Sequence, residues 1–410
     1  MSATSKAPPL PLEEAQARLL ALAKPLPVER VDAESALGRY LAEPLAARRT
    51  QPAADLSAMD GYAVIAGDFA GPWRVIGESA AGHPYCGSIA RGEAVRISTG
   101  AVLPEDATGV ILQEDVRRDG QTLVLTGEPP EPEHKHVRLC GMDFRLGSEV
   151  LPAGARIGPA QTALALSAGH RHLPIRRVPR LVVIDSGDEL AADIESCAPH
   201  QIPASNGAML AAMARAMPCE VTRLGPVADD MDALAATLAR AADADVVVTS
   251  GGASVGDHDL VRPALEAWGA TIDFWRIAIK PGKPLLVATR ARTNGRSQLI
   301  LGLPGNPVSS HVTAFLFMLP LLRALLGAAE PLPRRISARL DAPLRAGGSR
   351  REFLRARWDG AGIVAAAIQD SGALASLAAS NALIDRAAGA PPAEPGEWVD
   401  GFLLDSGGTA

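Results

Sequence analysis

Apolar residues near the start of the chain recur at helical spacing between residues 12 and 24. With a period of 3.6 residues they fall on one face of a short amphipathic helix. Pro25 ends the pattern, because a residue that precedes proline avoids the helical conformation. The apolar face consists of Leu12, Ala15, Leu19 and Leu22.

The pattern changes to short β-like runs between residues 46 and 145. The runs WRVIG, EAVRIS, GVILQ and TLVL are rich in branched side chains, and Gly, Pro or Asp bounds each of them. We therefore expect a β-rich domain over 46–145.

Strands and helices alternate from residue 181 onward, which is typical of a parallel sheet covered by helices. The predicted strands are 181–185, 220–224, 245–250 and two more near 285–289 and 298–302. The predicted helices are 207–217, 231–242 and an apolar helix after Pro307. We expect an α/β domain over 181–330, with the N-terminal helical segment 1–26 packed on it.

The tail, 331–410, returns to short strands with turn residues between them. The runs are ISARL, FLRARW, IVAAAI and WVDGFLL. This pattern predicts a small C-terminal β domain. A chain of 410 residues exceeds what one hydrophobic core organises, so two to four domains are expected in any case.

Composition and charge exclude several function classes. The net charge of −6 and the 4% aromatic content disfavour nucleic acid as a partner. The longest apolar run, 312–322, is too short to span a bilayer and contains Pro320, and the N-terminus lacks the apolar stretch of a signal peptide. The four cysteines form no CxxC pair. We expect a cytoplasmic protein without a membrane segment.

The strongest local signal is DVVVTSGGASVGDHDL, where an apolar strand runs into Ser250, Gly251 and Gly252. Ligands of α/β sheets bind beyond the carboxyl ends of the strands, and glycines there let backbone N–H groups approach a phosphate. Ser254 and Gly256 continue the same loop. The alternative is a plain glycine turn between strand and helix, with an aspartate as N-cap.

A second loop, IDSGDEL (184–190), also follows a strand and carries Asp188 and Glu189. The two acids should lie at the same sheet edge as Asp257 and Asp259 of the glycine loop. Carboxylates beside phosphate-binding loops repel a phosphorylated substrate unless Mg²⁺ bridges the two. The alternative is that each acid caps a helix or is a solvated turn charge.

Two further loops carry residues suited to anions. In AIKPGKPLLV, Lys280 and Lys283 stand on a segment that prolines make rigid, which favours oxyanion binding over a free surface lysine. GLPGNPVSS places four turn residues before an apolar helix, either as a helix start or as a cup for an anion. The four are Pro304, Gly305, Asn306 and Pro307.

In the β-rich part, LSAMDGYAV and RISTGAVLPEDATGV read individually as strand-ending turns. Histidines show no metal-binding spacing. The histidines concerned are His83, His134, His136 and His258.

Seven motifs, taken in order, resemble those of the molybdenum insertase family. They are SAMDGYAV, RISTGAVLPEDA, GMDFRLG, DSGDEL, SGGASVGDHD, FWRIAIKPGKP and GLPGNPVS. This family is the MoeA type of molybdopterin molybdenumtransferase, to which the E domain of gephyrin is similar. The match runs through nearly the whole chain. The resemblance implies an enzyme that takes adenylated molybdopterin and molybdate, depends on Mg²⁺, and releases AMP and molybdenum cofactor.

The resemblance also implies architecture and partners. It implies a four-domain elongated homodimer, with a linking domain from 27–45 and 146–180 and a barrel-like C-terminal domain over 331–410. Its α/β domain is akin to molybdopterin adenylyltransferase, and its site lies between that domain and the β-rich domain of the partner subunit. Molybdopterin adenylyltransferase and molybdoenzyme chaperones are candidate partners.

The resemblance assigns site residues one by one. Glu189 and Asp259 would hold the metal. Whether Asp229 or Asp230 is the functional acid stays open. Arg276 stands where some members carry lysine, which changes donor geometry. The catalytic set is Asp60, Asp143, Glu189, Asp229, Asp259 and Lys280. The substrate-binding set is Thr99, Ser250, Gly251, Gly252, Ser254, Gly256, Arg276, Lys283, Pro304, Gly305, Asn306, Pro307 and Arg350.

Two other functions remain open. A molybdopterin adenylyltransferase shares SGGASVGDHD but does not need the β-rich half or KPGKP. A scaffold role like that of gephyrin would need a long disordered linker, which this sequence lacks.

Overall fold

The fold is described from a computed structural model, in which residues 8–251, 260–293 and 295–404 are described. It contains three six-stranded sheets and several two-stranded ones. The α/β plus β architecture expected from the sequence is confirmed.

The α/β domain is built on one of the six-stranded sheets. In spatial order its strands are Glu220–Val227, Arg180–Ser186, Val246–Ser250, Ser297–Leu303, Leu286–Ala291 and Ala270–Trp275. The three valines at the start of Val246–Ser250 are fully buried, as expected for a central strand covered on both faces.

The sheet is mixed, whereas the sequence predicted a parallel one. The first four strands are parallel, but Leu286–Ala291 runs antiparallel to Ser297–Leu303 and Ala270–Trp275 runs antiparallel to Leu286–Ala291. Only five residues separate Leu286–Ala291 from Ser297–Leu303. A connection that short closes a hairpin but cannot cross over to a parallel strand.

Helices cover both faces of this sheet. Its helices are Asn206–Arg215, Met231–Arg240, Val261–Ala267, Pro307–Thr313 and Leu319–Leu325, and a π-helical stretch, Ala314–Met318, joins the last two. The N-terminal helix, Leu12–Leu22, packs on this continuous helix, and Gln16 Nε2 donates to the Leu316 carbonyl at 2.9 Å.

The continuous helix 307–325 is longer than the apolar run noted in the sequence. By length and hydropathy it could cross a membrane, but 89% of its most apolar window is buried inside the protein. Such burial is typical of the core helix of a soluble domain.

The β-rich region forms a second six-stranded sheet. Its strands, in spatial order, are Ala107–Leu112, Gly61–Ile65, Glu93–Ile97, Trp73–Ser79, Thr122–Leu125 and Val116–Asp119. Trp73 is 1% exposed in its core, and its indole N–H donates to the Asp68 carbonyl. A short pair, Leu56–Ser57 with Val137–Arg138, borders this sheet.

Segments from either side of the β-rich region share one core. Val28–Asp32 pairs with His172–Arg176, Leu45–Ala46 pairs with Glu149–Leu151, and helix Pro159–Ser167 packs beside them. We call this unit the linking module.

The C-terminal region closes into a five-stranded barrel. Its strands in order are Arg351–Trp358, Gly362–Ala365, Ile336–Leu340, Trp398–Leu403 and Ala382–Arg386, and the last pairs with the first. The sequence pattern missed Ala382–Arg386, and a short helix, Leu374–Ala378, precedes that strand. Ile279–Lys280 of the α/β domain pairs in parallel with Arg351–Trp358, so a seam of hydrogen bonds joins barrel and domain.

Candidate functional site

The loops at the carboxyl edge of the parallel strands approach one another very closely. The Gly251 N–H donates to the Leu303 carbonyl at 3.2 Å, and Gly251 has φ +95°, which favours glycine. A Cβ on Gly251 would lie 2.5 Å from the Ser186 carbonyl oxygen, and one on Gly305 would lie 3.7 Å from Gly251 Cα. The sequence therefore needs glycine at Gly251 for both conformation and space.

Two buried hydroxyls lie at this edge without a partner. Ser186 is 3% exposed and Thr249 is 2% exposed, and neither side-chain oxygen has a hydrogen-bond partner within the described residues. Buried polar groups are nearly always satisfied, so orphaned ones at a sheet edge favour a polar ligand or water there.

Three carboxylates gather at the same edge, and we call them the acid cluster: Asp188, Glu189 and Asp229. The Asp229 N–H donates to Asp188 Oδ1 at 3.0 Å. Partial burial raises the pKa of Asp229, and the negative charges of Asp188 and Glu189 raise it further, against a lowering hydrogen bond from the Asp188 backbone. Burial and neighbouring negative charge therefore both disfavour the ionised form of Asp229.

Asp230 has a different place from its neighbour. Its carboxylate accepts hydrogen bonds from the backbone N–H groups of Asp232 and Ala233, at 3.0 and 2.9 Å, and caps helix Met231–Arg240. Of the two adjacent aspartates, it is Asp229 that lies beside the other acids.

Part of the expected site lies outside the described residues. Gly252, Ser254, Gly256 and Asp259 belong to segment 252–259. Over the described ranges, no three acid, histidine or cysteine side chains are placed to hold a metal ion by themselves. Any metal at the acid cluster would need oxygen atoms from a ligand or from residues beyond those ranges.

The Gly305–Asn306 turn connects this edge to the barrel. Asn206 Nδ2, at a helix start, donates to the Gly305 carbonyl at 2.6 Å. On the other side, Asn306 Nδ2 donates to Ser371 Oγ at 3.1 Å, and the Val308 N–H donates to the Ser371 carbonyl. Pro304 is buried and Pro307 opens the following helix.

Beyond that turn lies a cavity of about 360 Å³, which we call the basic pocket. Lys280, Lys283 and Arg350 line it. Lys280 Nζ forms an ion pair with Glu352 Oε1 at 2.9 Å, and Arg350 Nη1 donates to the Ile279 carbonyl at 3.1 Å. Three cations line the pocket against two carboxylates, Glu352 and Asp370, and this excess of positive charge suits it to an oxyanion.

Arg276 precedes this loop in an unusual backbone conformation. Its φ of +114° is uncommon for a residue with a side chain. Its N–H donates to the Leu285 carbonyl at 3.2 Å and its own carbonyl accepts from the Leu10 N–H at 3.1 Å. These backbone bonds fix the start of the Lys280 loop.

On the β-rich side, Asp60 and Thr99 form a local pair. The Thr99 N–H and hydroxyl donate to Asp60 Oδ1 at 2.6 and 3.0 Å. The backbone N–H bond lowers the pKa of Asp60 most, followed by the hydroxyl and the charge of Arg96. Asp143 is exposed on another loop, anchored by its N–H to the Gln51 carbonyl.

The structure brings together only part of the expected set. No hydrogen bond or ion pair within the described chain joins Asp60 or Asp143 to the acid cluster. The residues that do meet at the α/β edge and the basic pocket are Glu189, Asp229, Ser250, Gly251, Lys280, Lys283, Pro304, Gly305, Asn306, Pro307 and Arg350.

Asp188 lies at the sheet edge where its loop was expected. Three residues at these sites were not among the expected ones: Asn206, Glu352 and Ser371. They contact the site from 65 to 99 residues away in sequence, a separation over which local patterns carry no information.

Family models match three successive parts of the chain. Residues 10–169 match the MoeA N-terminal region (domain I and II), 182–324 match a model described as "Probable molybdopterin binding domain", and 337–404 match the MoeA C-terminal region (domain IV).

Relatives and solved structures agree with these matches. Molybdopterin molybdenumtransferase from Nostoc sp. is 34% identical over 87% of this chain and 84% of its own length, and that from Haemophilus influenzae is 34% identical over 84% and 85%. The crystal structure of the molybdopterin biosynthesis MoeA protein from Pyrococcus horikoshii OT3 has TM-score 0.83 at 25% identity, covering 97% of this chain and 100% of its own. Another MoeA structure from that organism has TM-score 0.78 at 31% identity, covering 97% and 99%. The chain therefore belongs to the molybdopterin molybdenumtransferase family, the transferases of molybdenum cofactor biosynthesis.

Proposed function

We propose that this enzyme transfers molybdate to adenylated molybdopterin and releases AMP, in a reaction that requires Mg²⁺. The observation that carries the proposal is a pair of oppositely charged groups on either side of the Gly305–Asn306 turn. Gly305 lies against Gly251, at the sheet edge that carries the acid cluster, and Asn306 bonds to Ser371 of the basic pocket.

The basic pocket is the proposed place for an anion. Lys283 and Arg350 carry fixed positive charge, and Lys280 is held by the seam between Ile279–Lys280 and the barrel. Guanidinium and ammonium groups bind oxyanions through charge-assisted hydrogen bonds. Molybdate is such an oxyanion, and so is the phosphate end of molybdopterin.

The acid cluster is the proposed place for Mg²⁺. Burial raises the pKa of Asp229 most, and the negative charges of Asp188 and Glu189, which a divalent cation would offset, raise it further. Oxygen-only donors suit Mg²⁺, which keeps one or two carboxylates and completes its shell with phosphate oxygens and water. We propose Glu189 and Asp259 as the protein ligands, with Asp188 and Asp229 beside them. When bound, the ion would neutralise charge on the phosphates as the anhydride breaks.

The proposed chemistry is displacement at phosphorus. A molybdate oxygen bonds to the adenylyl phosphorus, the phosphoanhydride P–O bond breaks, and the pterin-side phosphate leaves. The two dithiolene sulfurs of molybdopterin then bond to molybdenum, and the Mo–O bond to the adenylyl group breaks. AMP leaves with that oxygen, and the two thiol protons pass to AMP and to solvent. The role of this chain is to position the two anions and to stabilise developing charge through Lys280 and the backbone N–H groups of the glycine loops.

The β-rich side would complete the site from a second copy. Asp60 and Thr99 form an exposed pair that makes no contact with the acid cluster of the same chain within the described residues. A homodimer, as the family resemblance implies, would let the partner's β-rich domain approach the α/β edge. Asp60, Thr99 and Asp143 are proposed to act there.

The test measures AMP release from adenylated molybdopterin in the presence of molybdate and Mg²⁺. Chromatography quantifies the AMP. Glu189→Gln should slow release by about 100-fold or more, since charge stabilisation at a reacting phosphate contributes several kcal/mol. Glu43→Gln, an exposed glutamate of the linking module, is the matched control and should leave the rate unchanged.

The same assay separates the other functions. Consumption of ATP instead of the adenylate would assign the chain as an adenylyltransferase and overturn the proposal. A chain that consumes neither, yet restores nitrate reductase in a strain lacking the insertase, would point to a scaffold.

A further inference from the structure

A second cavity, of about 570 Å³, lies where the linking module meets the α/β domain. We call it the joint cavity. Tyr40, Arg156 and Gln161 line it from the linking module, and Arg323, Glu330 and Arg334 line it from the other side. Its walls touch at Gly154, where a Cβ would lie 2.8 Å from the Ala329 backbone nitrogen.

The joint cavity is separate from the site described above. Arg323 belongs to the end of the continuous helix whose first residue, Pro307, borders the Gly305–Asn306 turn. Sixteen residues of helix at 1.5 Å each place the two ends roughly 24 Å apart. An anion in one cavity therefore cannot contact the other.

Positive charge predominates in the joint cavity. Arg323 is 2% exposed and donates through Nη1 to the Pro331 carbonyl at 3.1 Å. Burial lowers its pKa, and the positive charge of Arg156 lowers it further. Within the described residues, the Arg156 guanidinium forms no hydrogen bond or ion pair, and its positive charge repels that of Arg323.

The one carboxylate of the cavity does not neutralise this charge. Glu330 pairs with Arg334 at 3.6 Å, and both side chains are well exposed, at 78% and 69%. Exposed pairs of this kind contribute little and are easily exchanged for a stronger partner.

We propose that the joint cavity binds a phosphorylated small molecule through Arg156, Arg323 and Arg334. Each guanidinium group can donate two parallel hydrogen bonds to phosphate oxygens. The start of helix Pro159–Ser167 adds to this charge, since Gly158 and Gln161 also line the cavity. The volume lies within the range of pockets that hold metabolite-sized ligands.

Bound there, the ligand would bridge two modules. Tyr40 and Arg156 come from the linking module, which also carries the β-rich domain, whereas Arg323 lies in the α/β domain. An anion held by both sides would stabilise one arrangement of the modules.

The experiment is calorimetric titration of the full chain with pyrophosphate at low salt and without Mg²⁺. Because the basic pocket also suits this probe, the titration is repeated in a Lys283→Gln/Arg350→Gln background. One binding event should remain there. Adding Arg156→Gln/Arg334→Gln should weaken it by at least tenfold, while the exposed pair Arg117→Gln/Arg357→Gln leaves it unchanged.

Hydrogen exchange shows where the probe binds. In the Lys283→Gln/Arg350→Gln background, pyrophosphate should protect segments 152–158 and 329–334. Absence of binding in that background, or binding that Arg156→Gln/Arg334→Gln does not weaken, would overturn the proposal. Both outcomes are independent of AMP release, so the proposed reaction and this site fail separately.

Discussion

The acid cluster and the basic pocket lie on either side of the Gly305–Asn306 turn, but they are built in opposite ways. The acid cluster comes from two loops of one sheet, and its members lie 41 residues apart or less. The basic pocket needs two domains, joined by pairing of Ile279–Lys280 with the barrel strand Arg351–Trp358. The order of strands within a sheet determines the position of the acid cluster. The docking of two domains determines the shape of the basic pocket.

The difference separates two tasks. Negative groups at the sheet edge attract a cation, whereas positive groups at the domain seam attract an anion. A substrate with a metal-bridged phosphate at one end and an oxyanion acceptor at the other would be oriented by charge alone. Substitutions in the basic pocket should therefore change the molybdate requirement, whereas substitutions in the acid cluster should change Mg²⁺ affinity.

Among the effects on ligand binding, the largest is expected at the basic pocket. Lys283→Gln/Arg350→Gln should raise the molybdate concentration for half-maximal rate by about 100-fold, because each charge-assisted hydrogen bond contributes about 1.5–3 kcal/mol and the side chains are partly solvated. The Mg²⁺ dependence should not change. Steady-state AMP release at varied molybdate measures both.

Arg339→Gln is the control for this pair. Arg339 is exposed on the same barrel and stacks on Trp398 instead of facing the pocket. If it raised the molybdate requirement as much as the double variant, the pocket would lose its assignment as the oxyanion site.

A smaller effect is expected for the acid cluster, and it depends on pH. The pKa of Asp229 is raised, so its carboxyl takes up a proton at a higher pH than an ordinary aspartate. A protonated carboxyl does not attract a cation, so Mg²⁺ affinity should fall as pH falls through that raised value. Asp229→Asn should weaken Mg²⁺ binding several-fold and remove this part of the pH dependence, as measured by calorimetry.

The neighbouring residue supplies the matched control. Asp230→Asn makes the same chemical change, but asparagine caps a helix as well as aspartate does, so neither stability nor Mg²⁺ binding should change much. Asp230→Ala should instead lower the free energy of unfolding by about 1 kcal/mol in urea titrations. Equal loss of Mg²⁺ affinity in Asp229→Asn and Asp230→Asn would contradict the distinction between them.

The smallest effect is expected on the β-rich side. Thr99→Val removes the hydroxyl bond to Asp60 but keeps the backbone N–H bond, which lowers the pKa of Asp60 most. The pKa should rise only part of the way toward its usual value, as followed by carboxyl NMR. A complete return to the ordinary value would mean that the Thr99 hydroxyl, and not its backbone N–H, stabilises the Asp60 carboxylate.

Much of the α/β domain could be predicted because buried strands and amphipathic helices differ in period. The predicted strand 181–185 is found as Arg180–Ser186, and the predicted helix 231–242 as Met231–Arg240. Leu286–Ala291 was predicted as a strand near 285–289, but its antiparallel direction was not, since an apolar run does not indicate direction. Ala270–Trp275 was not among the predicted strands. Ala382–Arg386 was missed because its alanine-rich surroundings resemble a helix more than a barrel strand.

For the site, sequence order was informative only within the α/β sheet. Glycines and acids after its strands had to meet at one edge, whichever helices lay between. Glu352 and Ser371 could not be predicted, because nothing local shows that the barrel docks on the Lys280 loop. Asp230 caps a helix, whereas its neighbour Asp229 lies beside the other acids. The sequence could not distinguish the two, because the difference depends on the path of the backbone.

The seam between Ile279–Lys280 and the barrel has a consequence for exchanging parts between relatives. A barrel transplanted from another family member would lose its partner strand, Ile279–Lys280, unless residues 279–283 were transplanted together with it. The exchangeable unit is thus discontinuous in the chain, and recombination at the connection near residue 331 alone should yield chimeras that fold but handle molybdate poorly.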